Sequence, residues 1–120
     1  MLCLLRSRAF EPVARTQLAS GWHVLEAEAW RWTERRFSIA VAQGMRSVKL
    51  EVTAPETLAM PVTLTGGGRA HTLPRAGDYS IQFDIPAGAM LVEFELDSAL
   101  PPDLRDNRER GIIVRGVEVS

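Results

Sequence analysis

Apolar and polar residues alternate with a period of two through most of this chain. Tyr79, Ile81, Phe83 and Ile85 stand against Ser80, Gln82 and Asp84, the longest clean alternation present. Side chains that switch faces at every residue mark a strand with one face buried. Phe37, Ile39 and Val41 follow the same rule, as do Val48, Leu50 and Val52, then Val62 and Leu64, and later Met90, Val92, Phe94 and Leu96 against Glu93, Glu95 and Asp97. Turn residues separate these runs at Gln43-Gly44, Gly66-Gly67-Gly68, Pro74 to Asp78 and Pro86 to Gly88. The pattern predicts a hairpin between the Phe37 and Val48 strands, and a return of Arg69 to Leu73 alongside the Val62 strand.

The closing run, GIIVRGVEVS, carries Ile112 and Val114 in one parity and Val117 and Val119 in the other, with Gly116 at the switch. A β-bulge reconciles them, because one extra residue flips which side chains face the core and glycine tolerates the backbone angles involved. Between the last two strands, SALPPDLRDNRER is too charged and proline-marked to be a strand. It is expected to be an ordered loop crossing one end of the fold, stiffened at Pro101 and Pro102.

The beginning is less regular. Residues 1–20 mix apolar and basic side chains, and Pro12 blocks a helix interior, so a lead-in strand with a loosely defined start is expected. GWHVLEAEAWRWTERR contains good helix formers, yet its downstream neighbours are so consistently β that strand or irregular β is the expectation. Eight or nine strands with glycine and proline punctuation point to an all-β fold, an antiparallel two-sheet β-sandwich of jelly-roll type. A single open sheet that wide would leave the apolar face of every strand uncovered.

The length of 120 residues fits one domain with a core of its own. The lone Cys3 forms no internal disulfide, which suits a reducing, cytoplasmic setting. A formal net charge of −1 with interspersed signs offers no basic face for nucleic acid. No apolar run approaches the ~20 residues that cross a bilayer, so membrane insertion is not expected.

Trp22, Trp30 and Trp32 are all the tryptophans of the chain and lie beside Arg31, Glu34, Arg35 and Arg36. An exposed indole offers a flat apolar face to a sugar ring while arginine and carboxylate bind its hydroxyls; buried, the same indoles are packing. Both readings stand at this level. The loop residues Asp103, Arg105, Asp106, Asn107, Arg108, Glu109 and Arg110 form a second polar candidate, against which stands a solvated crossover whose charges pair with each other. Asp97, Asp103, Asp106 and Asn107 lack the spacing of a calcium loop, and no metal or cofactor is expected. Glu93 and Glu95 share a parity and are expected to be a wet strand face rather than a catalytic pair. His23 and His71 sit in no metal-ligand spacing, and Gly66 to Gly68 lacks the Lys-Ser/Thr of a phosphate loop.

Three places resemble a known family. Gly21-Trp22 with Leu25-Glu26 and Arg31-Trp32-Thr33, the middle strands with their polar turns, and Leu100-Pro101-Pro102-Asp103 with Asp106, Arg108 and Gly111 are similar to the galactose-binding-like, carbohydrate-binding-module type of jelly-roll accessory domain associated with bacterial glycosyltransferases and polysaccharide biosynthesis. The resemblance covers about Gly21 to Ser120, and a module standing apart from a transferase domain is expected. It implies a non-catalytic module for sugar or glycan recognition, or for holding a glycosyltransferase-type partner in a complex. On that pattern Trp22, Glu26, Arg31, Trp32, Asp106 and Arg108 are carried over, and Trp30 joins them as a stacking candidate. The competing expectation is a protein-interaction or assembly module, with a homo-oligomer as its usual outcome.

Overall fold

The computed structural model describes residues 16–120. Within them nine strands run in order: β1 (Thr16–Leu18), β2 (Arg31–Trp32), β3 (Arg36–Val41), β4 (Ser47–Ala54), β5 (Val62–Gly66), β6 (Arg69–Leu73), β7 (Gly77–Asp84), β8 (Leu91–Leu96) and β9 (Ile113–Val119). Among the described residues there is no helix, hence none long and apolar enough to cross a membrane. Cys3 and Pro12, and the start of the lead-in expected over residues 1–20, lie outside the described residues; β1 is its described part.

The strands form two antiparallel sheets, β1-β3-β8-β5-β6 and β2-β9-β4-β7. Pairing of β2 with β9, β3 with β8, β4 with β7 and β5 with β6 nests the chain like one long hairpin folded over, successive rungs falling in alternate sheets. That winding is the jelly roll. Its tip is the Gly67-Gly68 turn, where both residues have positive φ, 56° and 80°, as the tight hairpin turn between twisted strands requires.

The hairpin expected between the Phe37 and Val48 strands does not form. β3 is flanked by β1 and β8, and β4 by β7 and β9, so residues 42–46 pass from one sheet to the other. The apolar residues of both strands are buried between the two sheets. Met90 departs from its expected parity as well: it precedes β8 and is 61% exposed, while Val92, Phe94 and Leu96 are buried.

The core links the sheets through aromatic rings. Phe37 stacks on Phe94 at 5.0 Å, Phe94 meets Phe83 edge-on at 5.1 Å, and the ends of the row are Trp22 against Phe37 at 5.1 Å and His71 against Phe83 at 4.9 Å.

The expected bulge is present in β9. Glu51 pairs with Gly116 and Val52 with Val114, leaving Arg115 as the extra residue. Ile112, Val114, Val117 and Val119 are consequently all buried. Arg115 uses its side chain at the break, its Nε donating to Thr53 Oγ1 at 2.9 Å and a terminal nitrogen to the Val52 carbonyl at 3.0 Å.

Upstream of the bulge the chain is clamped at Thr33, which is fully buried. Gly111 N–H donates to the Thr33 carbonyl at 2.6 Å, Thr33 N–H to the Ile112 carbonyl at 2.9 Å, and Ile112 N–H to Thr33 Oγ1 at 3.2 Å. A Cβ at Gly111 would lie 2.8 Å from both the Glu34 carbonyl oxygen and Thr33 Oγ1. Only glycine lets the two backbones come this close. We expect Gly111→Ala to lower unfolding free energy by about 1–3 kcal/mol, the usual cost of forcing atoms into a packed site, measured by urea denaturation; an unchanged midpoint would show that the clamp yields at no cost.

Candidate functional site

Residues 22–33 form an irregular hairpin along the edge of the four-stranded sheet. Trp22 bridges Thr33 and Glu26 bridges Trp30, with His23 N–H donating to the Trp32 carbonyl at 3.0 Å. The helix that local composition allows is displaced because β2 pairs with β9, Arg31 opposite Val114 and Trp32 opposite Ile113. The hairpin turns at Ala27 and Glu28, whose φ values of 51° and 54° are left-handed. That conformation costs a residue with a Cβ about 1–2 kcal/mol. Nothing in an Ala-Glu pair announces such a turn, and the sequence shows none there.

Pairing decides which way each candidate faces. Directly paired residues share a face, so Arg31 lies on the side of buried Val114 and Trp32 on the opposite, outer side with Ile113. Arg31 donates to the His23 carbonyl at 2.8 Å, and burial pulls its guanidinium below its ordinary value. Trp30 has the parity of Trp32 and is half-buried like it; the two rings meet edge to face, 6.4 Å apart and at 78°. Trp22 stands apart from them. Its indole N–H donates to the Ser38 carbonyl at 2.8 Å and its ring edge packs on Phe37, giving it a place in the aromatic row of the core.

The crossing loop supplies the other wall. It is closed at its base by the Leu100–Arg110 bridge and folded at its tip by Asp103, whose Oδ1 accepts from the N–H groups of Arg105 and Asp106 at 2.8 and 2.9 Å. Asp106 grips Arg108 with both oxygens, at 2.8 Å to Nε and 2.7 Å to a terminal nitrogen. Arg108 in turn reaches Glu26 Oε2 at 3.3 Å, tying the loop to the hairpin. Asp106, Arg108 and Arg110 follow the period of two, and Arg110 lies 5.7 Å from the centre of the Trp32 ring while pairing with Asp103 at 3.3 Å. The structure thus brings together Glu26, Trp30, Trp32, Asp106 and Arg108, leaves Trp22 and Arg31 on the inner side, and adds Arg110 as the hub between tryptophan and carboxylates. The spacing 106/108/110 is the sequence signal that points to Arg110.

Two other concavities lie elsewhere on the surface. A cleft of about 290 Å³ at the five-stranded sheet is lined by Arg36, Ser38, Thr65, Glu93 and Glu95 with the glycine turn and, beneath them, Phe37 and Phe94. Glu93 and Glu95 are exposed there, Glu95 pairing with Arg36 at 3.3 Å. A trough of about 480 Å³ lies among the loops around Pro55 and Arg75. Neither holds a tryptophan. Among the described residues no group of His, Cys, Asp or Glu converges as a metal site.

No protein-family model and no curated protein sequence matches the chain. Among solved structures it is similar to part of the GH31 alpha-xylosidase from Xanthomonas citri, at 12% identity over 75% of this chain and 11% of that one, with a TM-score of 0.32. This chain spans about a tenth of that enzyme, and so loose a likeness carries no argument about the site.

The hydrogen bond from the Arg108 guanidinium holds the Asp106 carboxyl well below the usual carboxylate range, against the opposing effect of burial. Asp103 is lowered too, first by the N–H of Asp106 and then by that of Arg105. A carboxylate whose folded value lies below its unfolded value of about 4 binds fewer protons folded than unfolded between those two values. Its stabilisation is complete above the unfolded value and is lost as pH falls through the folded one. We expect Asp106→Asn to melt several degrees below the parent at neutral pH, and the two midpoints to converge on acidification below about pH 4. Equal midpoints at neutral pH would remove Asp106 from the fold and leave it to ligand contact.

Proposed function

We propose that this chain is a non-catalytic carbohydrate-binding β-sandwich module, which recognises a sugar by indole stacking and by hydrogen bonds from the Glu26, Asp106, Arg108 and Arg110 network. The observation that carries the reading is the outward, half-buried Trp30–Trp32 pair set against that network, at 6.4 Å and 78°. An indole provides an apolar face for the C–H side of a sugar ring, and charged donors and acceptors beside it suit its hydroxyls. The similarity of the Gly-Trp, Arg-Trp and Asp-x-Arg positions to the galactose-binding-like accessory domains of bacterial glycosyltransferases supports the same assignment. Glu26, Trp32, Asp106 and Arg108 of that pattern meet at this corner, while Trp22 and Arg31 support it from within. Binding to so open a surface is weak, because little ligand area is covered.

A second reading has an observation of its own. Val24, Leu25 and Leu104 are exposed to 69%, 40% and 106% and lie on the two segments that build the corner. Large apolar side chains left exposed on both segments suit a protein partner or a second copy. Glycan-array screening followed by calorimetric titration separates the two. Trp30→Ala and Trp32→Ala are each expected to weaken sugar binding roughly tenfold, ~1.4 kcal/mol. Unchanged binding in both variants would remove stacking as the mechanism, and concentration-dependent light scattering in a protein that binds no glycan would favour assembly.

A further inference from the structure

The angle between the two outward tryptophans restricts what the corner can hold. An extended glycan lying on a surface stacks successive rings on roughly coplanar aromatic faces, whereas rings at 78° cannot both be stacked by one straight chain. Part of the corner is already filled, because the Arg110 guanidinium stands 5.7 Å from the Trp32 ring centre and is held there by Asp103 at 3.3 Å and Asp106 at 3.7 Å. The loop carrying it is joined to the hairpin through Arg108 and Glu26. That junction sets the loop and the hairpin against each other at this corner.

The polar groups narrow the ligand further. Both oxygens of Asp103 and both of Asp106 are engaged by N–H groups of Arg105, Asp106, Arg108 and Arg110. Glu26 meets Arg108 through Oε2 alone, so its Oε1 has no hydrogen bond among the described residues. The two guanidiniums of Arg108 and Arg110 face the three carboxylates of Glu26, Asp103 and Asp106, which leaves one negative charge in excess and disfavours an acidic sugar.

We propose, resting on the carbohydrate reading above, that the corner binds one neutral sugar unit at the end of a glycan, its ring stacked on Trp30, its edge against Trp32 and a hydroxyl donating to Glu26 Oε1. The test is calorimetric titration of the intact chain with methyl glycosides of the common neutral hexoses and pentoses, their short linear oligomers, and the corresponding uronic acids. Molar affinity for an oligomer is expected to stay within about twofold of that for the best methyl glycoside, since one end occupies one site. The uronic acids are expected to bind more weakly, and Glu26→Gln to weaken the neutral glycoside about tenfold through loss of a charged acceptor. Affinity that climbs tenfold or more with chain length, or a preference for the uronic acid, overturns the end-on, neutral assignment while leaving carbohydrate binding in place. No binding by any of these probes overturns the carbohydrate reading and this inference with it.

Discussion

One extra residue in β9 sets the orientation of everything at the corner. In a regular strand Ile112 and Val114 would face one way and Val117 and Val119 the other, leaving one pair in water at a cost of about 1.5–3 kcal/mol for each side chain. The bulge at Arg115 puts all four in the core, and Arg115 itself satisfies the Val52 carbonyl beside the break. Because β2 pairs with the part of β9 upstream of the bulge, the same shift puts Ile113 outside and Trp32 with it. Hydrophobic burial at one end of the strand therefore decides which way an indole points at the other.

The corner is held by interlocked small contributions. Surface ion pairs taken singly stabilise little, but the Asp106–Arg108 contact is two-pronged and Asp106 is only 22% exposed. Through Arg108 it reaches the Glu26 hairpin, whose tip keeps two non-glycine residues in a left-handed conformation. Backbone strain of that kind persists only where its surroundings over-determine it. Here the Glu26–Trp30 bridge and the Arg108 contact meet directly beside the strained turn.

The three tryptophans, close in sequence, divide into two roles because the hairpin brings them back on different faces. Trp22 bridges fully buried Thr33 and extends the aromatic row through Phe37, Phe94 and Phe83 that joins one sheet to the other. Trp30 and Trp32 lie outward and are fixed by each other and by Arg110. The clamp of Gly111 against Thr33 stands between the two arrangements, so the packed core and the outer corner share one backbone contact.

Features with a local cause are legible in the residue pattern. Alternating side chains marked β3, β4, β5, β7 and β8, the glycine run marked the turn at the tip, and the parity switch at Gly116 marked the bulge, since each of these reports which face of a short segment must be buried. Strand count and alternation together indicated two packed sheets. What they left undecided was partnership: the hairpin expected between β3 and β4 is a crossing between sheets, because alternation says that a strand has an inner face and not which strand lies beside it. The candidate site divides along the same line. Clustering of tryptophan, arginine and aspartate identified the two segments, but only the pairing of β2 with β9 separated outward Trp32 from inward Arg31. Only the closure of the crossing loop carried Arg108 to Glu26, 82 residues away along the chain, a contact set by where two backbones meet in space and by nothing in either segment alone.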